Sequence, residues 1–119
     1  MIATVEQVLS ALQGLALTHA NEDEMQRGIA EALSAAGIAF EREQAVGRYG
    51  RIDFALGRVG IECKVAGPAS RVYRQLAGYL DSGEFDAIVL ATTKRSHAVM
   101  RLTLSGRHIR VVVFDGGLR

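Results

Sequence analysis

The feature that most constrains the fold is the run RIDFALGRVGIECKV, residues 51 to 65, where apolar residues recur at alternate positions on both sides of Gly57. A period of two is the repeat of a β-strand, and a glycine between two such runs supplies a tight turn. The stretch predicts a hairpin. Three charged residues interrupt it: Asp53, Glu62 and Lys64. By alternation Glu62 and Lys64 point to one side of their strand, while Ile61, Cys63 and Val65 point to the other. The same rule sets Asp53 opposite to Ile52 and Phe54. With the turn near Gly57, all three polar residues can converge on one face of the sheet.

Two carboxylates with nearby oxygens suit Mg²⁺ or Mn²⁺, hard cations that take one or two carboxylates and keep several waters for a phosphate substrate. A lysine beside them can orient a water or stabilise charge developing on a phosphate. The same three residues also fit a solvated strand face with Asp53 in a turn, because Asp, Glu and Lys are common and the spacing is loosely defined.

The rest of the chain supplies a scaffold for such a hairpin. Val5, Val8, Leu9, Leu12 and Leu15 recur at helical spacing behind Thr4, an acceptable N-cap, and predict a helix over 5–16. A second helix is expected from Asn21, with Glu24 completing a capping box, to Gly37, and its buried stripe is Met25, Ile29, Leu33 and Ala36. IAFERE, residues 38 to 43, then RIDFAL and VGIECKV predict three antiparallel strands. Past Gly67 and Pro68, Val72, Leu76 and Leu80 predict a helix over 70–81. DAIVLATT, residues 86 to 93, is a continuous apolar run fit for the sheet interior, and HIRVVVFD, residues 108 to 115, predicts a last strand. Residues 95–104 between them could be helical, with Val99 and Leu102 inward. The order ααβββαβαβ gives an α/β protein with a mixed central sheet flanked by helices.

A chain of 119 residues can build one real core, so residues 1–119 are expected to form a single domain. No apolar run approaches the roughly 20 residues of a membrane helix. The N-terminus carries Glu6 where a secretory signal is basic, so the expected setting is cytoplasmic, with no membrane partner. Cys63 is the only cysteine and cannot form an internal disulfide, and as a small apolar residue it belongs in the core. His19, His97 and His108 have no partners at a metal or triad spacing and are expected to be surface or capping groups. Charge is uneven: residues 1–41 hold one Arg against six acids, and the remainder holds 13 basic residues against seven acids. A basic C-terminal two-thirds fits a polyanionic partner.

Two helix faces bear on the hairpin. Glu22 lies seven residues before Ile29, about 20° around the helix from it, and is therefore an inward-facing acid at the helix start. There it could join a metal site or simply favour the helix dipole, whereas Glu24 and Glu31 point away. On the helix over 70–81, Arg71, Gln75 and Tyr79 recur every four residues and share a face distinct from the apolar one. That face could touch a phosphate or be solvated.

Taken together, NEDEMQRGIAEAL with Glu22, GRIDFAL with Asp53, IECK with Glu62 and Lys64, and RQLAGYL with Gln75 and Tyr79 resemble the PD-(D/E)XK nuclease superfamily. The αβββαβ core of that family corresponds to residues 21–93, with the first helix as an addition. EDEMQRGIAEAL looks most like the first helix of the VRR-Nuc branch, QLAGYL is similar to the Gln-Tyr motif of RecB-type nucleases, and the size is similar to that of archaeal Holliday junction resolvases. Ile52 stands where the family often has Pro, and Cys63 fills the middle of ExK. The resemblance implies a restriction-endonuclease-like fold and Mg²⁺-dependent hydrolysis of DNA phosphodiester bonds. It assigns Asp53 and Glu62 as metal ligands, Lys64 as the catalytic lysine, Glu22 as an auxiliary acid and Gln75 as a positioning group. Arg48, Arg51, Arg71, Arg74, Tyr79, Lys94 and Arg95 would hold the DNA backbone. An endonuclease on duplex or branched DNA, working as a homodimer in repair or recombination, is the implied activity. A catalytically silent nucleic-acid-binding module of the same fold is the alternative.

Overall fold

Both predicted caps at the helix starts are present and define how the chain enters its first layer. The computed structural model describes residues 3–17, 20–99 and 108–114. In the first helix, α1 (Val5–Leu12), the Thr4 hydroxyl accepts from the Gln7 N–H at 3.2 Å and Gln7 Oε1 accepts from the Thr4 N–H at 2.9 Å. The helix ends at Leu12, not at residue 16, because Gln13 turns to extended backbone and Gly14 takes a φ of 86°. Leu15 still packs against the same core. In α2 (Glu22–Ala35), Asn21 Oδ1 accepts from the Glu24 N–H at 2.8 Å and Glu24 Oε1 accepts from the Asn21 N–H at 3.0 Å. Met25, Ile29 and Leu33 are fully buried as the spacing required, but Ala36 is exposed, since the helix has already ended there.

Five strands form one mixed sheet in the order β1-β2-β3-β4-β5: β1 (Glu41–Ala45), β2 (Arg51–Leu56), β3 (Val59–Lys64), β4 (Ala87–Thr92) and β5 (Ile109–Val113). The first three are an antiparallel meander, and β3, β4 and β5 run parallel. β1 begins three residues later than IAFERE suggested and is an exposed edge strand, although Ile38 just before it is buried. All six residues of β4 are buried, which is why its sequence is apolar without alternation: Val89 and Ala91 face one core, Ile88 and Leu90 the other.

Those two cores cover the two faces of the sheet. On one, α1 and α2 bring Val8, Leu12, Met25, Ile29 and Leu33 against Phe54, Leu56, Ile61 and Cys63. On the other, α3 (Ala69–Asp81) brings Val72, Leu76 and Tyr79 against Ile52, Ile88, Leu90 and Ile109. Each fully buried large aliphatic side chain contributes roughly 1.5–3 kcal/mol. The buried stripe of α3 ends on Tyr79, which is fully buried, and not on Leu80, which is only half-buried. After β4 the chain makes a short 3₁₀ turn at Arg95–Val99, in place of the start of the longer helix expected over 95–104. The remainder of that segment, with Leu102, lies outside the described residues, as does His19.

The alternation in β2 breaks at one residue. Phe54 and Leu56 face the α1–α2 core and Ala55 the α3 core, but Ile52 also faces α3, where strict alternation would have placed it with Phe54. Asp53 carries the change of phase. Opposite it on β1, between the pairs Arg42–Phe54 and Gln44–Ile52, stands Glu43 with a φ of 53°, the left-handed region that costs a non-glycine residue about 1 kcal/mol. Gly60 makes room for the change, because Ile52 Cδ1 and Ile88 Cδ1 occupy the space a Cβ would need.

Candidate functional site

Strands β2 and β3 pair through Phe54–Ile61, Ala55–Gly60 and Leu56–Val59, and the ladder opens at the next position, where Asp53 faces Glu62. Backbone groups freed there are bonded by the two carboxylates. The Asp53 N–H donates to Glu62 Oε1 at 3.2 Å, and the Cys63 N–H donates to Asp53 Oδ2 at 2.8 Å. Two acids thus replace rungs of the sheet. Lys64 Nζ lies 3.4 Å from Glu62 Oε2, and the lysine side chain remains 24% exposed whereas that of Glu62 is 4% exposed. The lysine can meet a solute that Glu62 by itself could not reach.

Burial sets the electrostatics of the pair. Both carboxyls are held above the usual carboxylate range, first by desolvation. For Glu62 the next cause is the negative charge of Asp53, which Lys64 partly offsets. For Asp53 the Cys63 N–H bond pulls downward, while Glu22 on α2 and Glu43 on β1 push upward. Glu22 is therefore close enough for its charge to act on Asp53, as the helix phase implied. Among the described residues no three His, Cys, Asp or Glu side chains are already gathered as a metal cage. The Cys63 thiol is buried in the α1–α2 core and burial raises it well above its ordinary value, which suits a core residue.

The α3 side of the site is built by Gln75 and Tyr79. The Tyr79 hydroxyl donates to the Arg51 carbonyl at 2.6 Å and accepts from Gln75 Nε2 at 3.0 Å. Burial and the charge of Glu62 raise the phenol above its usual range, placing the ring within reach of the site's field. Tyr79 is thus a buried strut fixing the start of β2, whereas the resemblance implied a surface contact for DNA. Arg51, also expected on the DNA surface, donates from Nη1 to the Glu43 carbonyl at 3.1 Å. Arg48 is exposed, donates to the Tyr49 hydroxyl at 3.2 Å and lies 5.2 Å from that ring's centre. Arg71, Arg74, Lys94 and Arg95 are exposed.

Three residues near the site were not singled out by spacing. Arg42 donates to Gln26 Oε1 at 2.6 Å and lies 4.7 Å from the centre of the Phe54 ring. Glu43 faces Asp53. His97 is fully buried, contrary to the expectation of a surface or capping group: Nε2 donates to the Gly67 carbonyl at 2.7 Å, which leaves Nδ1 to accept from the Thr92 hydroxyl at 2.7 Å. Since Thr92 is the register partner of Lys64, His97 closes the loop after β3 onto the strand beside the lysine. A His-x₄ spacing from Thr92 carries no signal in one dimension. Comparison of the chain with protein-family models, curated proteins and solved structures found no match.

Proposed function

We propose that this protein is a divalent-metal-dependent nuclease that hydrolyses DNA phosphodiester bonds, of the PD-(D/E)XK type and restriction-endonuclease-like fold that its motifs resemble. The observation that carries the reading is the exchange of hydrogen bonds at Asp53 and Glu62 where the β2–β3 ladder opens, with the Lys64 ammonium beside them. Structural strands do not need two buried acids at a broken rung, since desolvation and mutual repulsion both oppose the arrangement.

The donor set fits a hard dication. Two oxygen-only ligands already face each other, and positive charge between them would relieve the repulsion that raises both carboxyls. Asp53 and Glu62 would hold Mg²⁺ or Mn²⁺, with Glu22 as an auxiliary acid. When bound, the ion supplies Lewis acidity and charge neutralisation at a phosphodiester. Lys64 stabilises negative charge developing on the phosphate oxygens, from a position set by Glu62. Gln75, anchored by Tyr79, positions substrate or water on the α3 side. Arg48, Arg71, Arg74, Lys94 and Arg95 bind the polyanion, and a symmetric homodimer would present two such sites to a duplex or branched DNA.

The test is cleavage of labelled single-stranded, duplex, flap and four-way-junction DNA with Mg²⁺, with Mn²⁺ and with chelator. Cutting that needs the metal and disappears in both Asp53→Ala and Lys64→Ala is the expected result. Metal-independent binding without cutting would favour the silent module instead.

A further inference from the structure

We propose that Arg42 is a phosphate-contacting residue that grips the DNA backbone on the α2 side of the carboxylate pair, a role resting on the nuclease reading above. Its guanidinium is preorganised and uncompensated at once. Gln26 Oε1 accepts from Nη2 at 2.6 Å, and the Phe54 ring lies 4.7 Å from the guanidinium carbon, itself braced edge-on by Phe40 with centres 5.5 Å apart. Both supports are neutral. Among the described residues Arg58 is neutralised by Asp86 and Arg110 by Glu6, whereas no described carboxylate forms an ion pair with Arg42, although acids lie on α2 and β1 around it.

Its place in the fold connects it to the site. Arg42 is the register partner of Phe54, the residue after Asp53, and Gln26 lies one turn beyond Glu22 on α2. The positive charge is felt at Cys63, next to Glu62. Arg42 is exposed, and its bond to Gln26 uses one of the five N–H donors of the guanidinium. A planar guanidinium with several fixed N–H groups matches two oxygens of one phosphate, which an ammonium cannot do. Lys64 on the α3 side and Arg42 on the α2 side would then bracket a backbone crossing the open rung.

The experiment measures binding of a short fluorescein-labelled duplex in Mg²⁺ between about 50 and 200 mM salt, on a Lys64→Ala background that keeps the probe intact. Arg42→Met should lower the slope of log affinity against log salt by about 0.9, the loss of one phosphate contact. Arg42→Lys should keep the slope and bind roughly tenfold more weakly, because the charge stays and the fork is lost. A thermal melt of each variant accompanies the titration, and the lysine variant retains a readout should the methionine variant fail to fold. A lower melting temperature with slope and affinity unchanged would mean that Arg42 only covers Phe54, and overturns the assignment. Cleavage by the unmodified protein alongside that result overturns the Arg42 role alone, whereas neither binding nor cleavage by the unmodified protein overturns both readings.

Discussion

The carboxylates of Asp53 and Glu62 each accept a backbone N–H from the opposite strand: the Asp53 N–H reaches Glu62 Oε1, and the Cys63 N–H reaches Asp53 Oδ2. A broken rung is thereby left without an unsatisfied donor, and two acidic groups are fixed face to face on rigid strands. That arrangement trades stability for a charged site.

Replacing either acid by its amide should expose the trade. Glu62→Gln keeps an acceptor for the Asp53 N–H and removes a group whose charged form burial disfavours, so in chelator near neutral pH the variant should be more stable than the native protein by about 1–3 kcal/mol in urea unfolding. It should also lose metal-dependent cleavage and the rise in melting temperature on adding Mg²⁺. A destabilised variant would mean that the charge on Glu62 is structurally required.

The same pair sets a pH dependence. Folded-state values are pushed up, to about 6 for Asp53 and about 8 for Glu62. The folded protein therefore binds more protons than the unfolded chain between about pH 4 and 8, and stability must fall as pH rises through that window. The two groups titrate as a unit, so the fall is expected as one broad step on the order of a few kcal/mol. Chemical denaturation in chelator from pH 5 to 8 measures it, and Mg²⁺ should flatten the curve by favouring the deprotonated pair.

Gly60 is a separate test of how the strand phase is set. Alanine there needs the space held by Ile52 and Ile88, both fully buried, with Phe85 also close. Gly60→Ala should cost about 1–3 kcal/mol. Because Ile52 is next to Asp53, activity should fall beyond what the unfolded fraction explains, which kinetics at a temperature well below the melt can separate.

His97 should matter more than a surface histidine. Truncation to Ala opens a cavity and leaves the Gly67 carbonyl and Thr92 hydroxyl without their partner, at about 2–4 kcal/mol. If His97 also steadies the loop beside Lys64, His97→Gln should recover part of the stability while kcat stays low with KM little changed. Full recovery of kcat would restrict the residue to folding.

Tyr79→Phe removes one hydroxyl that serves two groups, the Arg51 carbonyl and Gln75. A loss of about 1–3 kcal/mol is expected, with the ring still filling its place against α3's core. Urea unfolding of the Phe and Leu variants separates the hydrogen bond from the packing.

What the sequence determined by itself was local: the N-cap at Thr4, the capping box at Asn21, the hairpin around Gly57, the apolar interior strand Ala87–Thr92 and the candidate residues Asp53, Glu62 and Lys64. These follow from spacing, cap chemistry and a period of two or 3.6, all of which act between residues a few positions apart. Tertiary structure decided the rest. Alternation alone put Ile52 on the same side as Phe54, but Ile52 turns to the α3 core because Gly60, on another strand, leaves it room. Tyr79 has the spacing of an exposed face, yet the Arg51 carbonyl, 28 residues away, draws it inward. Arg42 and His97 gain their positions from Gln26, Phe54, Thr92 and Gly67, partners the fold alone brings near. Periodicity reports which side of an element is apolar; which polar groups meet across elements depends on register and on the space neighbouring strands leave.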